Sequence, residues 1–308
     1  MKQRGPNPAA SVRQRLLNMS KEQGINLDEL MTRFAISRLL YRLAASGFQG
    51  DFVLKGATLF TIWQDAPHRP TRDVDLLGQG APSIERLIEI FRTVVTTEPA
   101  EADGLAFDPD SVAGSRIRED AEHEGVRVTL TATLASARIR LQIDIGFGDV
   151  VLPGPEPVEV PTFFGFPPAQ LLAYPREAVI AEKFQAMVIL GEANTRMKDF
   201  YDLWTLAKGH QFDGPRLIEA IAGTFNRRRT SLPTTVPLAL TPSFAENPLK
   251  LTQWRGFLNR AGITPAQPAL ADLAPLLAAF LMPPVLAAGS GEPFHQTWHP
   301  GGPWQPRP

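Results

Sequence analysis

Polar and apolar positions alternate with two different periods along this chain, and the switches between them mark its elements. Residues 1–10 show no pattern and are expected to be loose. Residues 11–22 read as a short helix. Asn26-Leu27-Asp28-Glu29 is a capping-box-like start. The helix it opens carries Leu30, Phe34, Leu39, Leu40, Leu43 and Ala44 and stops at Gly47. The next stretch, DFVLKGATLFTIWQDAPHRPTRDVDL over residues 51–76, predicts strand, glycine turn, helix, loop and strand. A helix over 83–96 follows, with Ile84, Leu87, Ile88, Ile90 and Phe91 on one side, and then a loop over 99–112. Val126, Val128 and Leu130 alternate with polar residues, so 113–135 and 137–147 read as an antiparallel hairpin or meander.

A Pro-rich connector from Pro153 to Pro168 divides this strand-rich part from a helical one, with room for a short strand at Val158-Glu159-Val160. Helices are predicted over 175–190, from about Asn194 or Thr195 to 209, and over 213–228, 248–261 and 267–287. Residues 288–308 are rich in Gly and Pro and carry Trp298 and Trp304, which predicts a disordered or adhering tail. The expected fold class is α+β: a mixed sheet flanked by helices, joined to a helical C-terminal lobe. The expected divisions are 1–152, 153–287 and 288–308.

The strand ending Asp73-Val74-Asp75 puts two carboxylates on one face, because strand side chains alternate. Two unit charges about 4 Å apart repel by roughly 4 kcal/mol at an effective dielectric near 20. Such a pair faces open water, shares a proton, or holds a cation between its members. Mg²⁺ suits it, since that ion takes one or two carboxylates and leaves room for substrate phosphates. A solvated strand edge is the plainer alternative. In the strand Arg138 to Ile145, Asp144 shares a face with Arg138, Arg140 and Gln142. It is either a wet strand-end residue or the third carboxylate of a cluster able to bind metal and activate a hydroxyl. Asp149, after Gly146-Phe147-Gly148, reads as a turn residue. Lys55-Gly56-Ala57-Thr58 opens the intervening helix. Gly56 lets backbone approach a ligand, and the first helical amides suit a triphosphate. Thr58 adds a hydroxyl, and Lys55 reads as a phosphate contact or a solvated strand end.

In the helical part, Arg196, Asp199 and Asp202 repeat every three residues, while Phe200, Leu203, Trp204 and Leu206 face a core. The ridge is either a solvated, salt-bridged face or part of a site. Lys183, on a partly apolar helix, needs an anionic partner that Asp199 or Asp202 can supply.

Taken in order, LKGATLF, RPTRDVDLLG, AEKFQAMV and TRMKDFYDLW resemble the motifs of the AbiEii/AbiGii toxin family, nucleotidyltransferases that include MenT-like toxins. The motifs span roughly residues 50–206. Ala57 stands where that family usually has Gly or Ser, and the spacer to Asp73 is longer than the minimal superfamily pattern. The resemblance implies Mg²⁺ as cofactor on Asp73, Asp75 and Asp144, with Lys55, Gly56, Ala57, Thr58 and Arg196 binding nucleotide. It further implies Lys183 on the phosphates, with Asp199 and Asp202 orienting that lysine or the sugar. It also implies a nucleoside triphosphate donor, the 3′ end of tRNA as acceptor, and an AbiEi-like antitoxin encoded nearby. Two other readings stay open: transfer to a small molecule or protein side chain, and a degenerate transferase that works by binding.

Composition narrows this further. The chain has 308 residues, 44% hydrophobic and 20% charged, enough for one large domain or two lobes. No cysteine is present, so disulfides and thiolate metal sites are ruled out, and the five histidines lack ligand spacing. A net charge of −1 argues against an extended nonspecific nucleic-acid binder but leaves room for local basic surface. Arg227-Arg228-Arg229 is either such surface or a solvated helix end. No membrane-spanning helix and no signal peptide are expected, which places the chain in the cytoplasm.

Overall fold

The computed structural model describes residues 7–63, 69–118, 124–263 and 269–307. The chain forms two compact units, Met1–Gly148 with Glu156–Ala173, and Asp149–Pro155 with Tyr174–Pro308. It is a mixed α+β protein, as its periodicities predict.

The first unit opens with α1 (Pro8–Gln23) and α2 (Leu27–Ala45). Asn7 caps α1 through its side chain, Pro8 fits the first turn, and Gly24 closes the helix at φ 69°. Helix therefore begins inside the stretch expected to be loose; residues 1–6 lie outside the described ones. Asn26 caps α2 by accepting from Asp28 N at 2.8 Å. Next come β1 (Phe52–Lys55), a 3₁₀ turn at Gly56–Leu59, and a single helical turn, α3 (Phe60–Trp63). The expected loop after it falls partly on residues 64–68, outside the described ones. Then follow β2 (Asp73–Gly78), α4 (Ile84–Thr96), β3 (Leu105–Arg118), β4 (Glu124–Leu134) and β5 (Ala137–Phe147). Ser83 caps α4 by accepting from Arg86 N. Two late strands, β6 (Glu156–Val160) and β7 (Ala169–Ala173), complete the unit.

These strands form one sheet in the order β3-β4-β5-β2-β1-β7-β6. β2 runs parallel to β5 and antiparallel to β1, so the sheet is mixed. Helices α1, α2 and α4 pack on it. Val126, Val128, Leu130, Ile139, Leu141, Ile143 and Ile145 are buried and supply much of its core. The alternate positions of β5, namely Arg138, Arg140, Gln142 and Asp144, lie on the opposite face, more open to solvent.

Three differences from the sequence reading have clear causes. Residues 105–112, expected as loop, belong to β3. That strand is at the sheet edge, where Pro109 costs no ladder bond, and the register shifts between Asp108 and Ala113 absorb the Pro-Asp pair. Residues 156–173, expected in the second lobe, return to the first sheet, because Leu171 and Ala173 have an apolar face to bury there. A buried knot also appears that periodicity did not announce. Asp103 accepts from Arg38 Nε at 3.0 Å and from Arg42 Nη1 and Nη2 at 2.7 and 3.2 Å, tying α2 to the start of β3. Burial alone would raise the Asp103 pKa; bonds from Arg42 and Arg38 hold it below the usual carboxylate value.

The second unit holds α5 (Arg176–Leu190), α6 (Met197–Gly209), β8 (Phe212–Asp213), α7 (Gly214–Arg227), α8 (Pro242–Ala245), α9 (Pro248–Ala261) and α10 (Leu270–Ser290). By length and composition α10 could cross a membrane, a span the sequence reading did not expect. Here it packs on α6, α7 and α8, burying Leu273, Leu277, Phe280 and Leu281 as a core helix does. Residues after it, expected as disordered or adhering, form β9 (Gln296–Trp298) and β10 (Trp304–Pro306), in a three-stranded sheet with β8. Trp298 explains this attachment. It is buried, lies 4.9 Å from the Phe280 ring, and donates from Nε1 to Ala207 O at 2.7 Å.

Candidate active site

The sheet of the first unit gathers three of the predicted carboxylates on one face. In register, Lys55 on β1 lies opposite Asp75 on β2, Asp75 opposite Asp144 on β5, and Asp144 opposite Arg127 on β4. Neighbouring strands sit about 4.8 Å apart, so these four residues form a row across the sheet. Asp73 occupies the next row beside Gln142, which is itself opposite Thr129. Val74 and Leu76 point the other way and are buried, which fixes the face that the carboxylates take.

Gly56 stands at the end of β1 with φ 74°. A Cβ there would fall inside the Asp75 carboxylate, so only glycine lets the turn and the acid occupy this spot. The turn continues as 3₁₀ and then as α3 up to Trp63, the last residue described before 64–68, and Ala57 is half-buried within it. Lys55 is buried rather than at a solvated strand end. The Thr58 hydroxyl is also buried, with no hydrogen-bond partner among the described residues.

Asp144 has a partner that the sequence reading did not foresee. Arg127 Nε donates to Oδ1 and Nη2 to Oδ2, each at 2.8 Å, and Gln142 Nε2 donates to Oδ2 at 3.2 Å. The bond to Asp144, together with attraction from Asp144, Asp73 and Asp75, raises the Arg127 pKa despite partial burial. On the same face, Ser111, Thr129, Thr131, Arg138 and Arg140 line an open recess of about 630 Å³.

The second unit gathers the other predicted residues. Lys183 on α5 reaches Asp199 Oδ1 at 2.6 Å and Asp202 Oδ2 at 2.8 Å, both on α6. Arg196 Nε lies 2.6 Å from Asp199 Oδ2. Asp199 and Asp202 are fully buried and Arg196 is largely exposed, so the ridge turns inward instead of forming a solvated face. Burial pushes the Asp199 pKa up, but Lys183 and then Arg196 outweigh it and hold the carboxyl below its ordinary value. Asp149, expected as a turn residue, accepts from Arg228 Nε at 3.2 Å and from Nη2 at 3.1 and 3.0 Å. Of the arginine triplet only Arg228 is drawn in; Arg227 and Arg229 stay exposed.

The sequence model of the family described as nucleotidyl transferase AbiEii toxin, type IV TA system, matches residues 38–274. The chain belongs to this family. It is a nucleotidyltransferase. Two solved structures from Helicobacter pylori are also similar. One is a proposed nucleotidyltransferase, with 16% identity, 83% of this chain and 94% of that one covered, and a TM-score of 0.48. The other, JHP933, has 16% identity, 82% and 91% coverage, and a TM-score of 0.49. No curated protein matches the chain.

Membership of the AbiEii family implies a nucleoside triphosphate substrate and a cognate antitoxin, and such enzymes generally use a divalent metal. The donors here fit that ion in part. Asp73 and Asp75 share a face beside a turn cleared of any Cβ, which suits one hard cation with oxygen ligands. Asp144 fits less well, because both its oxygens already accept from Arg127. Among the described residues no group of three or more His, Cys, Asp or Glu is arranged to hold a metal.

Proposed function

We propose that this chain transfers a nucleoside monophosphate from a triphosphate to the 3′-terminal hydroxyl of tRNA, with Mg²⁺ held by Asp73 and Asp75. The row of Asp75 against Gly56 carries the reading: a carboxylate pair set on a glycine turn that admits nothing larger. The acceptor hydroxyl gives up its proton to solvent, its oxygen attacks the α-phosphorus, the bond from that phosphorus to the β-bridging oxygen breaks, and pyrophosphate leaves. Asp73 and Asp75 would hold the ion, which would supply positive charge against the phosphate oxygens. Gly56 and Ala57 let the backbone approach the triphosphate, with Lys55 beside Asp75 adding positive charge. Thr58, whose buried hydroxyl has no hydrogen-bond partner among the described residues, is the remaining phosphate-side residue of the turn. In the second unit Lys183 is held by Asp199 and Asp202, with Arg196 beside the same Asp199 carboxylate; that this ammonium serves the phosphates follows the family resemblance. Asp144 takes the acceptor side of the carboxylate row, as the group that orients the hydroxyl.

The acceptor and the consequence, a block of translation, follow the family resemblance. So do Mg²⁺ as the ion, an AbiEi-like antitoxin as partner, and action in the cytoplasm. Incubation of purified protein with each labelled nucleotide, total RNA and a panel of small hydroxyl acceptors tests the proposal. Label on tRNA 3′ ends, lost in Asp75→Ala, is expected. Label appearing only in a small molecule or on protein replaces the tRNA reading. Growth arrest that persists in Asp75→Ala at equal expression points to a binding module instead.

A further inference from the structure

We propose that Arg127 stands in for a second metal ion: it holds Asp144 as an ion pair, confines the site to one divalent cation on Asp73 and Asp75, and turns its remaining N–H groups to the triphosphate. This rests on the reading of Asp73 and Asp75 given above and specifies the reagents of that site.

The geometry leads there by elimination. A two-metal centre needs a carboxylate that both ions can share or a third one that is available. Among the described residues Asp144 is the only other acid in the row, and its two oxygens receive three donors, from Arg127 Nε, Arg127 Nη2 and Gln142 Nε2. A second ion on Asp144 would have to break both guanidinium bonds and then sit beside the displaced positive charge. Gln142 matters here as well. It is fixed by the same β4–β5 register, opposite Thr129, and it braces Oδ2 from below.

The guanidinium has capacity left over. It carries five N–H donors, of which the bonds to Asp144 use two. Its side chain is 38% exposed, so the remaining donors reach solvent on the face that carries the acids. Arginine suits this post because its planar fork grips a carboxylate with one edge and a phosphate oxygen with another, which lysine cannot do. Charge also balances. Asp73, Asp75 and Asp144 carry three negative charges, which a single divalent ion with Arg127 neutralises. Lys55, opposite Asp75, then leaves the row net positive toward an anionic nucleotide. A second divalent ion would add two further charges with no further acid in the row, among the described residues, to receive them.

Mn²⁺ titration followed by electron paramagnetic resonance, in the presence of a triphosphate with a non-cleavable α,β bridge, reads the stoichiometry directly. One Mn²⁺ per protein–nucleotide complex is expected for the unaltered chain. The paired isostere Arg127→Gln with Asp144→Asn keeps one ion, yet loses roughly 100-fold in kcat/KM, the scale for removing one preorganised donor to transition-state charge. Arg127→Gln alone frees Asp144 and admits a second ion. Two ions in the unaltered chain, or no second ion in Arg127→Gln, overturns the inference while leaving the Asp73 and Asp75 reading standing. Mn²⁺ bound undiminished by Asp75→Asn overturns that reading itself, and this one with it. Circular dichroism on each variant confirms that a lost ion is not a lost fold.

Discussion

Replacing Lys183 by Met should destabilise the second unit in a manner that depends on pH, and the sign can be worked from the cluster. Lys183 is the shared partner of Asp199 and Asp202, both fully buried, at 2.6 and 2.8 Å. Removing one member of a buried charged group costs about 3–5 kcal/mol, because the remaining charge is left uncompensated. In the unaltered chain the Asp199 pKa lies below its unfolded value. Its contribution is therefore complete above the unfolded pKa and is lost as pH falls through the lower, folded one. Without Lys183 the larger of the attractions opposing burial is gone and Arg196 remains, so the folded pKa rises. Asp199 then binds a proton more readily in the folded variant than in the folded unaltered chain, so acid narrows the difference between the two. Urea midpoints at about pH 7.5 and about pH 5 measure this; at the lower value a buried carboxyl with a raised pKa begins to protonate. The deficit of Lys183→Met should be largest at the higher pH and shrink at the lower. Equal deficits at both would show that lost packing of the lysine stem, and not stranded carboxylate charge, sets the cost.

Gly56→Ala should lower transfer activity and Mn²⁺ affinity together, since the new Cβ displaces the Asp75 carboxylate and the residue must hold φ 74°, a strain of about 1–3 kcal/mol; activity assays and metal titration on the same preparation decide it. Asp103→Ala should cost about 3–5 kcal/mol by chemical denaturation, because Arg38 and Arg42 lose their buried acid, while activity per folded molecule is retained. Trp298→Ala should cost about 3–5 kcal/mol and release β9 and β10, seen as faster amide exchange in residues after α10.

Local chemistry was the most legible part of the chain. Asp73 and Asp75 share a face because period two leaves no choice, whereas Gly56 is a weak signal alone, since ordinary strand-to-helix turns look the same, and gains weight only from the acids that follow it. The pairing of Lys183 with Asp199 and Asp202 could be anticipated because a lysine among apolar helix positions must find a counter-charge. Arg127 was missed because its role is a matter of register. It could have been found from the short turn at Ala135-Ser136: counting seven residues back from Leu134 and seven on from Ala137 lands on Arg127 and Asp144. The β3 start was hidden by Pro109, whose tolerance depends on that strand lying at an edge, which no local pattern reveals. The tail's attachment depends on a pocket at Phe280 and Ala207 that exists only once α6 and α10 are packed.

The late return of β6 and β7 to the first sheet has a consequence for making the protein. β7 pairs with β1, so a chain halted at residue 152 leaves the β1 border of the sheet bare. On the ribosome that border stays open until residue 173 has cleared the exit tunnel, a window in which two nascent copies can zip together. An excised first unit would need residues 156–173 grafted back through a replacement linker, because truncation at the Pro-rich connector leaves β1 without its β7 neighbour.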